Sequence, residues 1–150
     1  MQGKKRGEEK AIHPKLQHLI RESLSQVEGK DQTILKQVLE QIDRARFCPS
    51  NDPNVVYGTA PCPLTRKGVV EGKGATLSAL GIHVIALQLI MARWKELRRK
   101  YGWTPFRDTR VLDVGSGSGY LCIALSHLMA TMAEGGEKRK GSSVWHRVHS

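Results

Sequence analysis

The stretch Val111-Leu112-Asp113-Val114-Gly115-Ser116-Gly117-Ser118-Gly119 decides how the chain is read. Its first four residues form a short apolar run with β-branched members, closed by a glycine, which predicts a buried strand over 111–114. The run is apolar on both faces, as in a central strand of a parallel sheet. The alternating glycines 115, 117 and 119 predict a turn whose backbone is approached closely by something else, since a Cβ there would block that approach or force strain. Downstream, Leu121, Ala124, Leu125, Leu128 and Met132 recur at helical spacing, and Glu134-Gly135-Gly136 stops the pattern. Strand, glycine turn and helix together place unpaired backbone N–H groups at a helix start, where an anion or carboxylate can sit.

Upstream, Ser78 is placed to cap a helix running to about Tyr101, with Ile82, Ile85, Ala86, Leu89 and Leu97 as its buried stripe. Arg93, Lys95, Arg98, Arg99 and Lys100 crowd its second half, where the helix dipole favours cations. Residues 47–74 read as a long irregular stretch, broken by Pro49, Asn51, Asp52, Pro53, Gly58, Pro61 and Pro63. Before it, two shorter helices are expected. One opens at His13-Pro14, carries Leu16, Leu19, Ile20, Leu24 and Val27, and ends at Gly29. The other is capped by Asp31 and buries Ile34, Leu35, Val38, Leu39 and Ile42. Residues 1–12 are polar and charged and read as a disordered basic arm. Val144 to Val148 is a candidate second strand. No internal repeat is present.

The chain of 150 residues fits one domain, with 39% hydrophobic residues for a core that only 5% aromatics help to fill. A net charge of +10 suits acidic partners: nucleic acid, anionic lipid or a carboxylate-bearing substrate. A solvated surface with a basic head and tail accounts for it equally well. Cys48, Cys62 and Cys122 have no metal-ligand spacing, and an odd count argues against a disulfide framework, so a reducing compartment and no metal are expected. The charged N-terminus is no secretory signal. No run approaches the roughly 18 apolar residues of a membrane span.

The glycine spacing discriminates between ligands. The dinucleotide fingerprint is G-x-G-x-x-G, whereas here it is G-x-G-x-G, with Tyr120 and Cys122 following. The run Leu-Asp-Val-Gly-Ser-Gly-Ser-Gly resembles the first motif of class I methyltransferases. That resemblance implies S-adenosylmethionine as cofactor, its methionine part lying against Gly115, Ser116, Gly117, Ser118 and Gly119. Asp113 would help hold the loop and the amino group. The fold class implied is α/β: N-terminal helices followed by the start of a doubly wound, Rossmann-like sheet that is incomplete.

The order of motifs narrows the family. An aliphatic helix ends in Asp43-Arg44. A proline-containing loop follows, then Gly74-Ala75-Thr76-Leu77-Ser78-Ala79, a helix bearing His83, and the glycine run. Residues 14 to 133 thereby resemble protein-L-isoaspartate O-methyltransferases. Carried over, Ser78 matches the active-site serine, Gly74, Ala75 and Thr76 the backbone facing cofactor and substrate, and His83 the histidine that opens the next helix. Read from the residues alone, Ser78 is also a plain N-cap and His83 a structural histidine. The chain departs from the family at Leu80, where proline is usual, at Lys73, and in the length of the loop 47–73.

The family's reaction methylates the α-carboxylate of isoaspartyl residues in damaged proteins. A carboxylate with a reference pKa of about 4 is already a nucleophile at neutral pH, so no general base is required. Catalysis then consists of positioning and water exclusion. The resemblance further implies isoaspartyl-containing proteins and peptides as partners, a cytoplasmic monomer when complete, and no membrane or nucleic-acid role. An acidic residue for the ribose, expected about 20 residues past the loop, has no well-placed candidate: Glu134 and Glu137 precede the second strand. Residues 134–150 are therefore read as a divergent or truncated tail after a domain over 13–133. Two alternatives stay open: a methyltransferase acting on another substrate such as RNA, and a non-catalytic remnant that binds a partner.

Overall fold

Proline and a histidine cap start the first helix as the sequence demands. α1 spans Pro14–Ser23, with Pro14 where no intrahelical N–H is lost and His13 Nδ1 accepting from Lys15 N–H at 3.2 Å. It buries Leu16, Leu19 and Ile20, and Leu24 and Val27 extend the apolar face through the following turn. This is a computed structural model, and it describes residues 11–64, 75–102 and 109–134.

α2 spans Gly29–Glu40 and buries Leu35, Val38 and Leu39, with Ile42 just beyond it. Gly29 opens this helix at a φ of 64°, a conformation that side chains resist. Asp31 is therefore not the cap as expected: Glu28 holds that position, and Asp31 lies in the first turn, ion-paired with Lys95. Both partners are part-exposed, so the pair adds little stability.

The stretch from 47 onward is less irregular than its prolines suggest. A 3-10 turn, Arg44–Arg46, precedes it, and a single helical turn, α3, spans Pro53–Val56, with Asp52 Oδ1 accepting from Asn54 N–H at 2.8 Å. β1, Cys62–Pro63, pairs antiparallel with β2, Thr76–Leu77, in the register Cys62 opposite Leu77 and Pro63 opposite Thr76. Cys48 and Cys62 are joined by a disulfide with Cα atoms 6.4 Å apart. This corrects the expectation that the three cysteines form no disulfide. Cysteine count and spacing could not show that the turn after Arg46 brings Cys48 beside β1.

α4 spans Leu80–Tyr101, about 33 Å of helix. Its cap is Ala79, which makes no side-chain bond, so Ser78 is not the cap that a reading of local sequence offers. Gly102, at a φ of 65°, ends the helix by donating to the Arg98 carbonyl at 2.9 Å, and Arg98, Arg99 and Lys100 sit in the last turn, where the helix dipole favours cations. The buried face is Leu80, His83, Val84, Leu87, Met91 and Trp94. The expected stripe lies on the other side: Ile82, Ile85 and Leu89 are exposed, and Ala86 and Leu97 are half-buried. The first half of α4 is apolar on two faces, and a periodicity argument cannot say which face the neighbouring helices take.

α5, Tyr120–Glu134, follows the glycine loop and packs on α2 and α4, while α1 packs on α2 and α4. These four helices enclose the core. The strand expected at 111–114 does not form: the segment has no regular structure, and Leu112 and Val114 are 85% and 86% exposed. A strand exists only where a neighbour completes its hydrogen bonds, and among the described residues the one sheet is the β1–β2 pair. The described residues are thus mostly helical with a two-stranded sheet, consistent with part of an α/β fold. The candidate second strand at 144–148, residues 1–10 of the arm, Lys73, Gly74 and residues 135–150 lie outside the described residues.

Candidate functional site

A cleft of about 170 Å³ opens where β2, the start of α4, the glycine loop and the start of α5 converge. Thr76 and Ser78 form one wall, His83 the floor, and Asp113 with Gly115, Ser116, Gly117 and Ser118 the opposite wall. Thr76 and Ser78 thereby share one cavity with loop residues 35 or more positions away in sequence. Gly119 stands just outside it: its N–H donates to the Ser116 carbonyl at 2.9 Å, and its own carbonyl accepts from Ile123 N–H at 3.1 Å, starting α5. Ala75 is exposed outside the lining, and its carbonyl accepts from Leu64 N–H at 3.0 Å, extending the β1–β2 ladder. Gly74, the remaining expected site residue, is among the residues not described.

The loop's shape follows from its composition. Gly115, Gly117 and Gly119 have φ values of 82°, 55° and 79°, all in the left-handed region. Asp113 is half-buried, and its Oδ2 accepts from the Cys122 thiol at 3.4 Å. Partial desolvation and the Asp113 carboxylate both push the pKa of this exposed thiol up.

Two residues of the site were not legible as such. Tyr120, 1% exposed, stacks on His83 with ring centroids 4.7 Å apart and meets Phe47 edge-on at 5.2 Å. Arg44 has no exposure, and it donates from Nε to the Val56 carbonyl at 2.8 Å and from Nη1 to the Ser78 carbonyl at 2.9 Å. The signals were present, a tyrosine directly after the third glycine and an arginine at a helix end, but neither position has a pattern that announces burial. Burial, helped by the Arg44 charge and opposed by Asp113, lowers the His83 pKa to about 4, so the imidazole is neutral at physiological pH. Burial drives the Tyr120 phenol upward, keeping it protonated. His83 Nδ1, Tyr120 Oη and Arg44 Nη2 are buried with no hydrogen-bond partner among the described residues.

The cleft therefore offers a neutral imidazole, one carboxylate and a glycine-lined backbone, a set suited to holding a zwitterionic ligand rather than to moving protons. The family model for protein-L-isoaspartate(D-aspartate) O-methyltransferase matches residues 15–135. The chain belongs to this family. A probable protein-L-isoaspartate O-methyltransferase of Dictyostelium discoideum is 31% identical over 93 residues, covering 62% of this chain and 24% of the relative. A protein-L-isoaspartate O-methyltransferase of Opitutus terrae is 28% identical over 120 residues, 80% of this chain and 42% of the relative. A third, protein-L-isoaspartate O-methyltransferase 2 of Anaeromyxobacter sp., is 28% identical over 110 residues, 73% and 37%. The chain spans less than half the length of these relatives. No solved structure matches it significantly. The isoaspartate methyltransferase match includes the cleft, the Asp43-Arg44 pair and all of α2, α4 and α5.

Proposed function

We propose that this chain carries the cofactor-facing and substrate-facing part of a protein-L-isoaspartate O-methyltransferase, which transfers a methyl group from S-adenosylmethionine to the carboxylate of isoaspartyl residues in damaged proteins. The observation that carries the proposal is the cleft in which Thr76, Ser78, His83 and the glycine loop meet. The residues fit the methionine end of the cofactor. Three left-handed glycines leave the loop backbone uncovered by side chains, Asp113 supplies a carboxylate for an ammonium group, and the buried His83 Nδ1 has a free position. Gly115 to Gly119, Asp113 and His83 would hold it, with Gly74, Ala75 and Thr76 on the facing side. At about 170 Å³ the cleft is smaller than the roughly 300–1,000 Å³ of sites that engulf a drug-sized ligand, so it accounts for part of the cofactor.

When bound, S-adenosylmethionine supplies an electrophilic methyl group on a sulfonium. The chain's own residues then have to orient and shield. Ser78 contacts the substrate carboxylate, which is ionised at neutral pH and needs no base. His83, neutral because it is buried, places no second positive charge beside the sulfonium. The Tyr120 ring closes the floor beneath it. The partners in this reading are isoaspartyl-containing proteins and peptides, with a monomeric complete domain and a Rossmann-like sheet completing the fold. No helix among the described residues is long and apolar enough to cross a membrane. A cytoplasmic location is part of the proposal that the Cys48–Cys62 bond opposes, because such bonds are rare there.

Calorimetry with S-adenosylhomocysteine tests the site directly. The wild-type chain should bind, and Gly117→Val should not, since a β-branched side chain resists a φ of 55°. Equal affinity in the two proteins would refute the assignment. A labelled-methyl assay comparing isoaspartyl and normal aspartyl peptides tests the substrate class. The exposed Ile82, Ile85, Leu89, Leu112 and Val114 favour a second reading, a non-catalytic chain that binds a partner through this apolar surface. Solubility only in complex would distinguish it. RNA as substrate rests on net charge alone and predicts salt-sensitive RNA binding.

A further inference from the structure

Arg44 is the one charged side chain among the described residues with no exposure, and both of its partners are backbone carbonyls. A buried guanidinium with no ion-pair partner among the described residues is expensive, so an apolar side chain of similar length would pack there at lower cost. What the guanidinium does instead is join segments remote in sequence. Its own turn is capped by Asp43, whose Oδ1 accepts from Ala45 N–H at 3.0 Å and from Tyr57 Oη at 2.9 Å. Nε reaches the last residue of α3, and Nη1 reaches Ser78, immediately before the cap of α4. The planar fork of an arginine holds two acceptors in fixed directions, which a lysine ammonium does not.

We propose that Arg44 is a positioning residue of the cleft: by tying the Ser78 carbonyl to the Val56 carbonyl it fixes the backbone of the substrate-facing wall relative to the His83–Tyr120 floor. The proposal rests on the methyltransferase reading for its consequence but not for its geometry. Arg44 does not line the cleft and acts through Ser78. Its charge also bears on the floor, where it lowers the His83 pKa while Asp113 raises it and the stacked Tyr120 stays protonated.

The test uses the full chain, labelled with ¹⁵N, as wild type, Arg44→Lys and Arg44→Met. In Arg44→Lys the helical fold and melting temperature stay near wild type, while the amide signals of Thr76, Ser78 and Tyr57 shift or broaden. S-adenosylhomocysteine affinity should fall about tenfold in the same variant, or about 1.4 kcal/mol. In Arg44→Met the His83 imidazole titrates closer to its ordinary pKa of about 6.5, and in Arg44→Lys, which keeps the charge, it does not. Unchanged amide signals at Thr76 and Ser78 in both variants would overturn the proposal. So would the failure of both variants to fold, which would make Arg44 an ordinary core residue. If the wild-type chain binds no S-adenosylhomocysteine, the methyltransferase reading fails, and the amide and imidazole signals still decide the role of Arg44.

Discussion

The His83 and Tyr120 rings lie 4.7 Å apart at 29° to each other, which locks the first turn of α4 to the first turn of α5 beneath the cleft. One residue follows the Ser78 segment and the other follows the glycine loop, so this contact sets the spacing of the two walls. Aromatic contacts of this kind contribute about 0.5–1.5 kcal/mol beyond their burial.

Burial of His83, helped by the Arg44 charge, makes stability pH-dependent. The folded His83 pKa is held near 4, below the ordinary 6.5. Between these values the unfolded chain binds a proton that the folded chain does not, so stability rises with pH across that window. It is complete above about pH 6.5 and is lost as pH falls toward 4, by on the order of 3 kcal/mol. Urea unfolding midpoints at pH 7 and pH 4.5 measure this. In His83→Phe, which keeps a ring against Tyr120, the difference between the two midpoints should shrink.

The Cys48–Cys62 bond closes a loop that contains α3 and the Val56 carbonyl held by Arg44. In the chain-entropy view a loop of about 15 residues is worth about 3 kcal/mol. Cys62→Ser should lower the unfolding free energy by about that amount under oxidising conditions and by much less in the presence of a thiol reductant. Thiol labelling of the denatured, unreduced chain should find Cys122 alone, and all three cysteines after reduction. Labelling of all three before reduction would rule the bond out.

Ser78 separates a structural role from a functional one. Ala79 is the cap of α4, and Ser78 gives Arg44 its carbonyl, which alanine also has. Ser78→Ala should therefore leave the melting temperature nearly unchanged, rather than cost the roughly 1 kcal/mol of a lost cap. Binding of an isoaspartyl peptide, measured by calorimetry, should weaken, while S-adenosylhomocysteine affinity stays near wild type. A large loss of stability would return Ser78 to the capping role.

The sequence made local features legible. The faces of α1 and α2 were readable because each is apolar on one side only, and the glycine loop because its alternating pattern has one physical use. The buried face of α4 was not, since Val84, Leu87 and Met91 lie opposite an equally apolar Ile82, Ile85 and Leu89. The strand at 111–114 was misread because β-branched residues show what a segment would do with neighbours, not whether neighbours are there. Arg44 and the disulfide were hidden because both depend on contacts between segments 12 or more residues apart. Ser78 and His83, expected from the order of motifs, and Asp113, expected from the glycine run, line one cleft.

The apolar side of α4 leads to the last prediction. Ile82, Ile85 and Leu89 are 58%, 54% and 68% exposed on one helix face, and Leu112 and Val114 project from the segment beside the cleft. Exposed apolar surface of this kind drives association in water, and the backbone of 111–114, outside any sheet among the described residues, adds a site for strand pairing. Purified residues 1–150 should sediment as concentration-dependent oligomers. Ile85→Lys with Leu89→Lys should raise the monomer fraction while the melting temperature holds or rises, because neither side chain belongs to the core. The openness of the cleft also limits activity. The glycine-loop side of a ligand site is present, but a cleft of about 170 Å³ leaves most of a cofactor in water. Methyl transfer from labelled S-adenosylmethionine to an isoaspartyl peptide by this chain alone should thus be at or near background. Turnover comparable with that of a longer relative, or a monomer unaffected by the lysine substitutions, would show that the exposed face needs no cover.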